Sequence, residues 1–248
     1  MEKKFKFFIK PFSFLIFFFL WEIIAFIIND GLFPSLFIIL KILFFEIKDG
    51  ELFYHLSITL YRVLVSFSLA LFLGGLIGIL MGNSKRLNQF LDGWNILFLN
   101  VPALVLIILS YVWFGLTELA AILAVCLNKI PNVVVTVREG AKSIDRKLLE
   151  IAYIYKLSKP TMFFKFYLPQ LYPYLIAAAR SGISLIWKIV LVVELLGRSN
   201  GIGFKLHEYF QFFDIASILA YTLAFVIVMI LIEKIIFQPL DNRANRWR

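Results

Sequence analysis

Few residues of this 248-residue chain have the chemistry for catalysis or ligation, and their spacing argues against both. His55 and His207 stand far apart in sequence, and neither belongs to an H-E-x-x-H pair that would set two imidazoles on one helical face for zinc. No G-x-S-x-G turn raises a serine nucleophile. Gly82-Asn83-Ser84-Lys85 lacks the first glycine and the strand context of a phosphate-cradling loop, so ATP cannot be held by that device. Any energy for active work must then come from a separate subunit. The single cysteine, Cys126, supports neither an intrachain disulfide nor a thiolate metal cluster and reads as a small packing residue in an apolar run. No catalytic, cofactor or metal site is expected.

A second group of polar residues sits where charge is costly. Arg180, Lys188 and Glu194 fall in or near an apolar run, and ionisable groups there face a bundle interior or a wet cavity. Cations so placed suit a path for an anion. Equally, Arg180 and Lys188 can snorkel towards an interface, while Glu194 neutralises a neighbour or stands in an outer gate. Glu22 and Asn128 read as helix–helix contacts. Gly201 and Gly203, in Arg198-Ser199-Asn200-Gly201-Ile202-Gly203, fit a tight turn that needs glycine backbone angles. Lys188, Glu194, Gly201 and Gly203 are the candidates for a translocation path or gate.

The elements that carry these residues are membrane helices. Hydrophobic residues make up 61% of the chain, against about 45–50% in a soluble domain. Apolar runs long enough to cross a ~30 Å hydrocarbon core occur near 11–28, 58–82, 94–114, 118–137, 174–197 and 214–237. The fold class is therefore all-α integral membrane with about six transmembrane helices. Lys3, Lys4, Lys6 and Lys10 precede the first run without a small-residue cleavage site after Trp21-Glu22, which predicts an uncleaved span. The net charge of +9 lies between the apolar runs rather than on a continuous stripe, so it reports topology and not nucleic acid. With the N-terminus inside, Lys85-Arg86, the cluster from Arg138 to Lys165, and Arg243, Arg246 and Arg248 are cytoplasmic. The opposite face keeps Lys41, Lys48, Arg198 and Lys205, with Arg62 near a span end. Both termini are expected in the cytoplasm.

Between the first two runs, Asn29–Ser57 holds a short helix opened by Pro34-Ser35, predicted to lie in the outer interface. Gly74, Gly78 and Gly82 share one helical face for close approach of another helix. A single membrane domain is expected, divided into an N-terminal span with the interfacial helix (1–56), a core (57–240) containing a charged loop (138–172), and a basic tail (241–248).

That loop is the long charged interruption in an otherwise apolar chain. Ile144, Leu148, Ala152 and Tyr155 recur at helical spacing, with Asp145, Arg146, Lys147 and Glu150 on other faces, which predicts an amphipathic helix. Ser158-Lys159-Pro160 breaks it and opens a second short helix, about Pro160 to Tyr167, ending at Leu168-Pro169. The segment exceeds a median connection of about 4–6 residues and keeps an apolar face that a partner protein would cover.

These residues carry a resemblance. Glu150-x-Ala152, a polar residue at 156 and Leu168-Pro169 resemble the EAA loop in permease subunits of bacterial ATP-binding-cassette (ABC) importers. More narrowly the chain is similar to the sulfonate, nitrate and taurine permease family. That likeness runs through Thr59-Leu60-Tyr61-Arg62-Val63-Leu64, Asn83-Ser84-Lys85-Arg86, Val101-Pro102-Ala103-Leu104, Trp113-Phe114-Gly115, Glu194-Leu195-Leu196-Gly197 and Gly201-Ile202-Gly203. It implies the fold of a type I importer permease, MetI-like, working without catalysis of its own in the inner membrane.

By resemblance the loop is a cytoplasmic coupling element in which Glu150, Ala152, Lys156, Leu168 and Pro169 dock on an ABC ATPase subunit that holds ATP-Mg. An extracytoplasmic substrate-binding protein would deliver cargo near Gly201 and Gly203, and a second permease copy, most simply an identical chain, would complete the path in the membrane lipid. The cargo implied is a sulfonate, taurine, nitrate or a similar small organic ion or vitamin precursor. The family usually places glycine where this chain has Lys156. A lysine in a left-handed turn costs roughly 1–2 kcal/mol, so either the turn differs or Lys156 meets the partner by charge. The rival class is an ion-gradient-driven secondary transporter, which often shows two similar halves with matched broken helices; neither is visible here.

Overall fold

A computed structural model describes the backbone of residues 2–240 and the side chains of residues 12–240. The side chains of Lys3, Lys4, Lys6 and Lys10, and the tail with Arg243, Arg246 and Arg248, lie outside the described residues. Every regular element described is helical, in the order α1 (Glu2–Ile28), α2 (Leu36–Lys48), α3 (Leu52–Asn83), α4 (Lys85–Asn100), α5 (Ala103–Phe114), α6 (Glu118–Lys142), α7 (Arg146–Ile154), α8 (Lys159–Met162), α9 (Leu168–Gly197), α10 (Ile202–Gln211) and α11 (Ile215–Ile232). Segments 52–83, 118–142, 159–197 and 215–240 are each long and apolar enough to cross a membrane, and Phe12–Ile28 adds a shorter apolar helix.

The span expected over 94–114 is not one helix. α4 and α5 meet at 96° across Val101-Pro102. Proline disfavours helical angles in the residue before it, and here Val101 is extended at φ −73°, ψ 123°. The broken pair nevertheless passes from one end of the bundle to the other. Arg138 of α6 reaches Asn88 and Asp92 at its start, while Tyr111 near its finish donates to the Val193 carbonyl of α9 at 2.9 Å.

A second expectation also changes. The short helix over 160–167 does not end at Leu168-Pro169 but continues into α9, so that 159–197 is a single long helix. Continuity is bought by a π-turn at Phe163–Tyr167, where the Leu168 N–H donates to the Phe163 carbonyl five residues back. A proline ring collides with the carbonyl four residues before it in a regular helix, and this wider turn lies where Pro169 would collide. Pro239 repeats the device behind a π-turn at Glu233–Phe237.

The core forms around α3, α6 and α9. Gly74, Gly78 and Gly82 bring α3 against α6: a Cβ on Gly74 would stand 2.7 Å from Val133, and one on Gly78 2.9 Å from the Val134 carbonyl. α2 buries Ile39 and Leu43 in the main cluster with Tyr221 and Phe225 of α11. Glu22 accepts from the Leu36 N–H at 2.9 Å, so it caps the start of α2.

Candidate functional site

At one end of the bundle the structure gathers a polar cluster from α3, α6, α9 and the turn before α10. α3 begins at Leu52, six residues before the expected run, which sets Thr59 and Arg62 inside a helix rather than at its edge. Arg62 is 2% exposed and Glu194 wholly buried. Arg62 Nη1 donates to Glu194 Oε1 at 2.7 Å and to the Asn200 carbonyl at 2.9 Å, Nη2 to Asn200 Oδ1 at 2.6 Å and to Glu118 at 2.9 Å, and Nε to Glu118 at 2.6 Å. Glu194 also accepts from Thr59 Oγ1 at 2.9 Å and from the Gly203 N–H at 2.8 Å. A buried guanidinium and a buried carboxylate are tolerable only with their hydrogen-bonding capacity filled, and here it is.

The glycines belong to this cluster. Gly201 has φ +106°, its N–H donates to His55 Nδ1 at 3.0 Å, and a Cβ there would overlap the Glu194 carboxylate. On Gly203 a Cβ would collide with the Leu191 carbonyl. The cluster continues outward through His55 to Glu51 at 3.3 Å and from Glu51 to Lys205 at 3.3 Å. The hydrogen bonds from His55 and Lys205 hold the Glu51 carboxyl below its ordinary value. Burial works against the Lys205 charge, but hydrogen bonds to Glu208 and Glu51 outweigh it and raise its pKa. The structure thus brings Glu194, Gly201 and Gly203 together as one tied joint between α3, α9 and α10.

The opposite end holds the charged loop. Asn83 donates to Tyr167 at 2.7 Å, Arg138 to Asn88 at 3.3 Å, and Ser143 pairs with Tyr174 at 2.9 Å. These contacts put the end of α3, the start of α4, the end of α6 and the loop on one side of the bundle. Asp145 caps α7 by accepting from the Lys147 N–H. On α7 Ala152 is wholly buried, whereas Glu150 is exposed and Ile151, Tyr153, Ile154 and Tyr155 show 45%, 77%, 73% and 75% of their surface.

Lys156 adopts φ +50°, so the left-handed turn is kept despite the lysine. Its N–H donates to the Tyr153 carbonyl at 2.9 Å and that of Leu157 to the Ala152 carbonyl at 3.1 Å. This paired closure is a Schellman motif, ordinarily built on glycine. Leu168 is half-buried and Pro169 exposed on the continuous helix that follows. The loop candidates therefore divide between α7 and the start of α9.

Two lysines occupy the middle of the bundle. Lys188 is exposed on α9 with its ammonium 5.5 Å from the Trp187 ring centre, whereas Lys129 of α6 is 2% exposed. Arg180 near the loop end pairs with Glu233 at 2.8 Å. Sequence patterns bring Glu194 and the stretch holding Thr59 forward but pass over Glu118 and Lys129. The available signal for Lys129 is its place near the centre of the 118–137 run. Among the described residues no group of three His, Cys, Asp or Glu side chains is placed to ligate a metal.

This geometry can be set beside known proteins. A family model described as binding-protein-dependent transport system inner membrane component matches residues 70–238. An aliphatic sulfonates transport permease protein of Bacillus subtilis (strain 168) is 32% identical over 202 residues, covering 82% of this chain and 73% of its own. The taurine transport system permease protein of Escherichia coli (strain K12) is 27% identical, with 80% and 72% covered. A nitrate import permease protein of a Synechocystis strain is 28% identical, with 76% and 68% covered. Among solved structures, an inward-facing MetNI methionine ABC transporter superposes with a TM-score of 0.62 at 17% identity, covering 78% of this chain and 98% of that one. An amino acid ABC transporter superposes at 0.61 with 16% identity, covering 77% and 93%. The last two establish a shared fold, and together with the sequence matches they place this chain in the family of inner membrane components of binding-protein-dependent transport systems, among its sulfonate, nitrate and taurine permeases.

Proposed function

We propose that this chain is the membrane-spanning, non-catalytic subunit of an ATP-driven importer for a small organic anion, working as a dimer of identical chains by alternating access. The observation that carries the proposal is α7, which presents Glu150, Ile151, Tyr153, Ile154 and Tyr155 outward around the buried Ala152. Exposed apolar residues on a charged loop beyond the membrane fit a protein partner better than water. Lys85, Arg86, Arg138, Lys142, Arg146 and Lys147 lie at the same end, which supports a cytoplasmic location for it and therefore access to a soluble ATPase.

The mechanics follow from the helices. The segment after α7 runs unbroken from 159 to 197, so a displacement imposed at the loop is delivered along one helix to the Glu194 joint at the far end. ATP binding by the partner would shift this lever and open the path outward, and hydrolysis would return it. Lys188 stands exposed on a spanning helix, where an unshielded ammonium against lipid is costly. A second copy of the chain would enclose it in a hydrated path. A substrate-binding protein would deliver cargo at the end that carries Gly201 and Lys205. The sulfonate and nitrate permeases among the relatives support an anionic cargo.

Uptake into membrane vesicles tests this reading against a gradient-driven transporter. Uptake of a labelled alkanesulfonate should need ATP and the binding protein and survive an uncoupler. Uptake that persists after ATP depletion and collapses with the ion gradient would overturn it.

A further inference from the structure

Among the described residues, Lys129 is the one ionisable group deep in the bundle whose charge nothing in the cluster chemistry above accounts for. It lies eleven residues from Glu118 and thirteen from Lys142 at the two ends of α6, roughly 16 and 20 Å at ~1.5 Å rise per residue. A four-carbon stem cannot reach either interface from there. Among the described residues it has no hydrogen bond, ion pair or ring contact. Its stem packs on Gly182 of α9, where a Cβ would stand 3.3 Å from Lys129 Cε. The crevice around it, walled by Phe67, Leu71, Ala178 and Ile186, is too tight for a water molecule.

Beside this lysine runs a polar stripe. Asn128, Asn132 and Thr136 recur every four residues along α6, with Asn132 exposed and the other two half-buried. Asn132 Nδ2 lies 3.4 Å from the Asn128 carbonyl and Thr136 Oγ1 3.1 Å from that of Asn132, so these groups bond only to their own helix. A face of this kind halfway through a membrane is stable against a hydrated path and costly against lipid.

We infer that Asn128, Lys129 and Asn132 form an oxyanion site in the middle of α6, for a monovalent anion of the alkanesulfonate class. The inference rests on the importer reading and specifies its cargo chemistry. Two amides and an ammonium offer donors that suit the oxygens of a sulfonate, and the anion supplies the counter-charge that Lys129 lacks. Because Lys129 packs against α9, and α9 is continuous with the loop, movement of that helix would open or close the crevice.

Charge-selective labelling tests the site without relying on transport. Thr136→Cys, in a Cys126→Ser background, places a thiol one turn from Asn132 and leaves the three proposed residues intact. The full complex in membranes is treated with a methanethiosulfonate reagent bearing either a sulfonate or a trimethylammonium group. The sulfonate reagent should react faster by about tenfold. Lys129→Met should abolish that preference and Lys129→Arg retain it. Absence of reaction with both reagents, an equal rate for both, or a preference untouched by Lys129→Met would overturn the site. The importer reading fails by a separate result, loss of ATP dependence in vesicle uptake. In those vesicles Lys129→Met should lower alkanesulfonate uptake at least about tenfold while Lys129→Arg keeps it.

Discussion

Arg62 of α3 and Glu194 of α9 meet at 2.7 Å with neither side chain reaching solvent. The two residues are 132 positions apart, and their contact fixes the far end of the helix that descends to the charged loop. Arg62→Ala strips partners from Glu118, Glu194 and Asn200 together, leaving a buried carboxylate unpaired. Such a change costs about 3–5 kcal/mol. The purified protein should show a large fall in thermal midpoint, and Glu194→Gln, which keeps an acceptor for Thr59 and Gly203, should show a smaller one.

The two glycines of the turn make a sharper prediction, because each has a separate steric cause. Gly203→Ala drives a methyl into the Leu191 carbonyl, and Gly201→Ala combines a positive φ with overlap on the Glu194 carboxylate. Each should destabilise by about 1–3 kcal/mol, seen in detergent melts performed without any cargo. Wild-type melting with selective loss of uptake would instead assign the glycines to substrate delivery.

At the loop, Lys156→Gly relieves the left-handed strain on the lysine while adding freedom to the unfolded chain. The first effect is worth roughly 1–2 kcal/mol and the second offsets about 0.5–1 kcal/mol of it. The Leu157 amide, bonded to the Ala152 carbonyl, should therefore exchange its hydrogen up to roughly tenfold more slowly in the variant. Faster exchange would mean that the lysine side chain itself holds the turn.

Acid should loosen the Glu51 contacts in a defined direction. The folded carboxyl lies below its ordinary 4.5, so its contribution is present above that value and is lost as pH falls through the lowered one. Melts of wild type and Glu51→Gln should differ near neutrality and converge in acid. The group is exposed, so the difference should be small.

The helical membrane class is readable from the apolar runs, and the loop from Glu150, Ala152 and the proline pair. What escapes the sequence depends on partners far away in the chain. Arg62 reads as a span-end cation because only Glu118, Glu194 and Asn200, brought in by folding, make its burial stable. Pro102 and Pro169 are alike in sequence as helix breakers, yet the first bends its helix pair by 96° and the second is absorbed by a π-turn. The outcome turns on the backbone of the preceding turn, which a residue pattern does not specify. Lys129 is hidden for a different reason, since Gly182 opposite it is what allows a lysine stem into the core.

Co-purification tests the central claim most directly. The membrane complex, expressed with its candidate ATPase, should retain that subunit and turn over ATP, while Glu150→Ala should lose the subunit or uncouple its hydrolysis without altering the melting of the permease. Failure of the wild type to retain any ATPase, together with uptake that follows the ion gradient alone, would contradict the account.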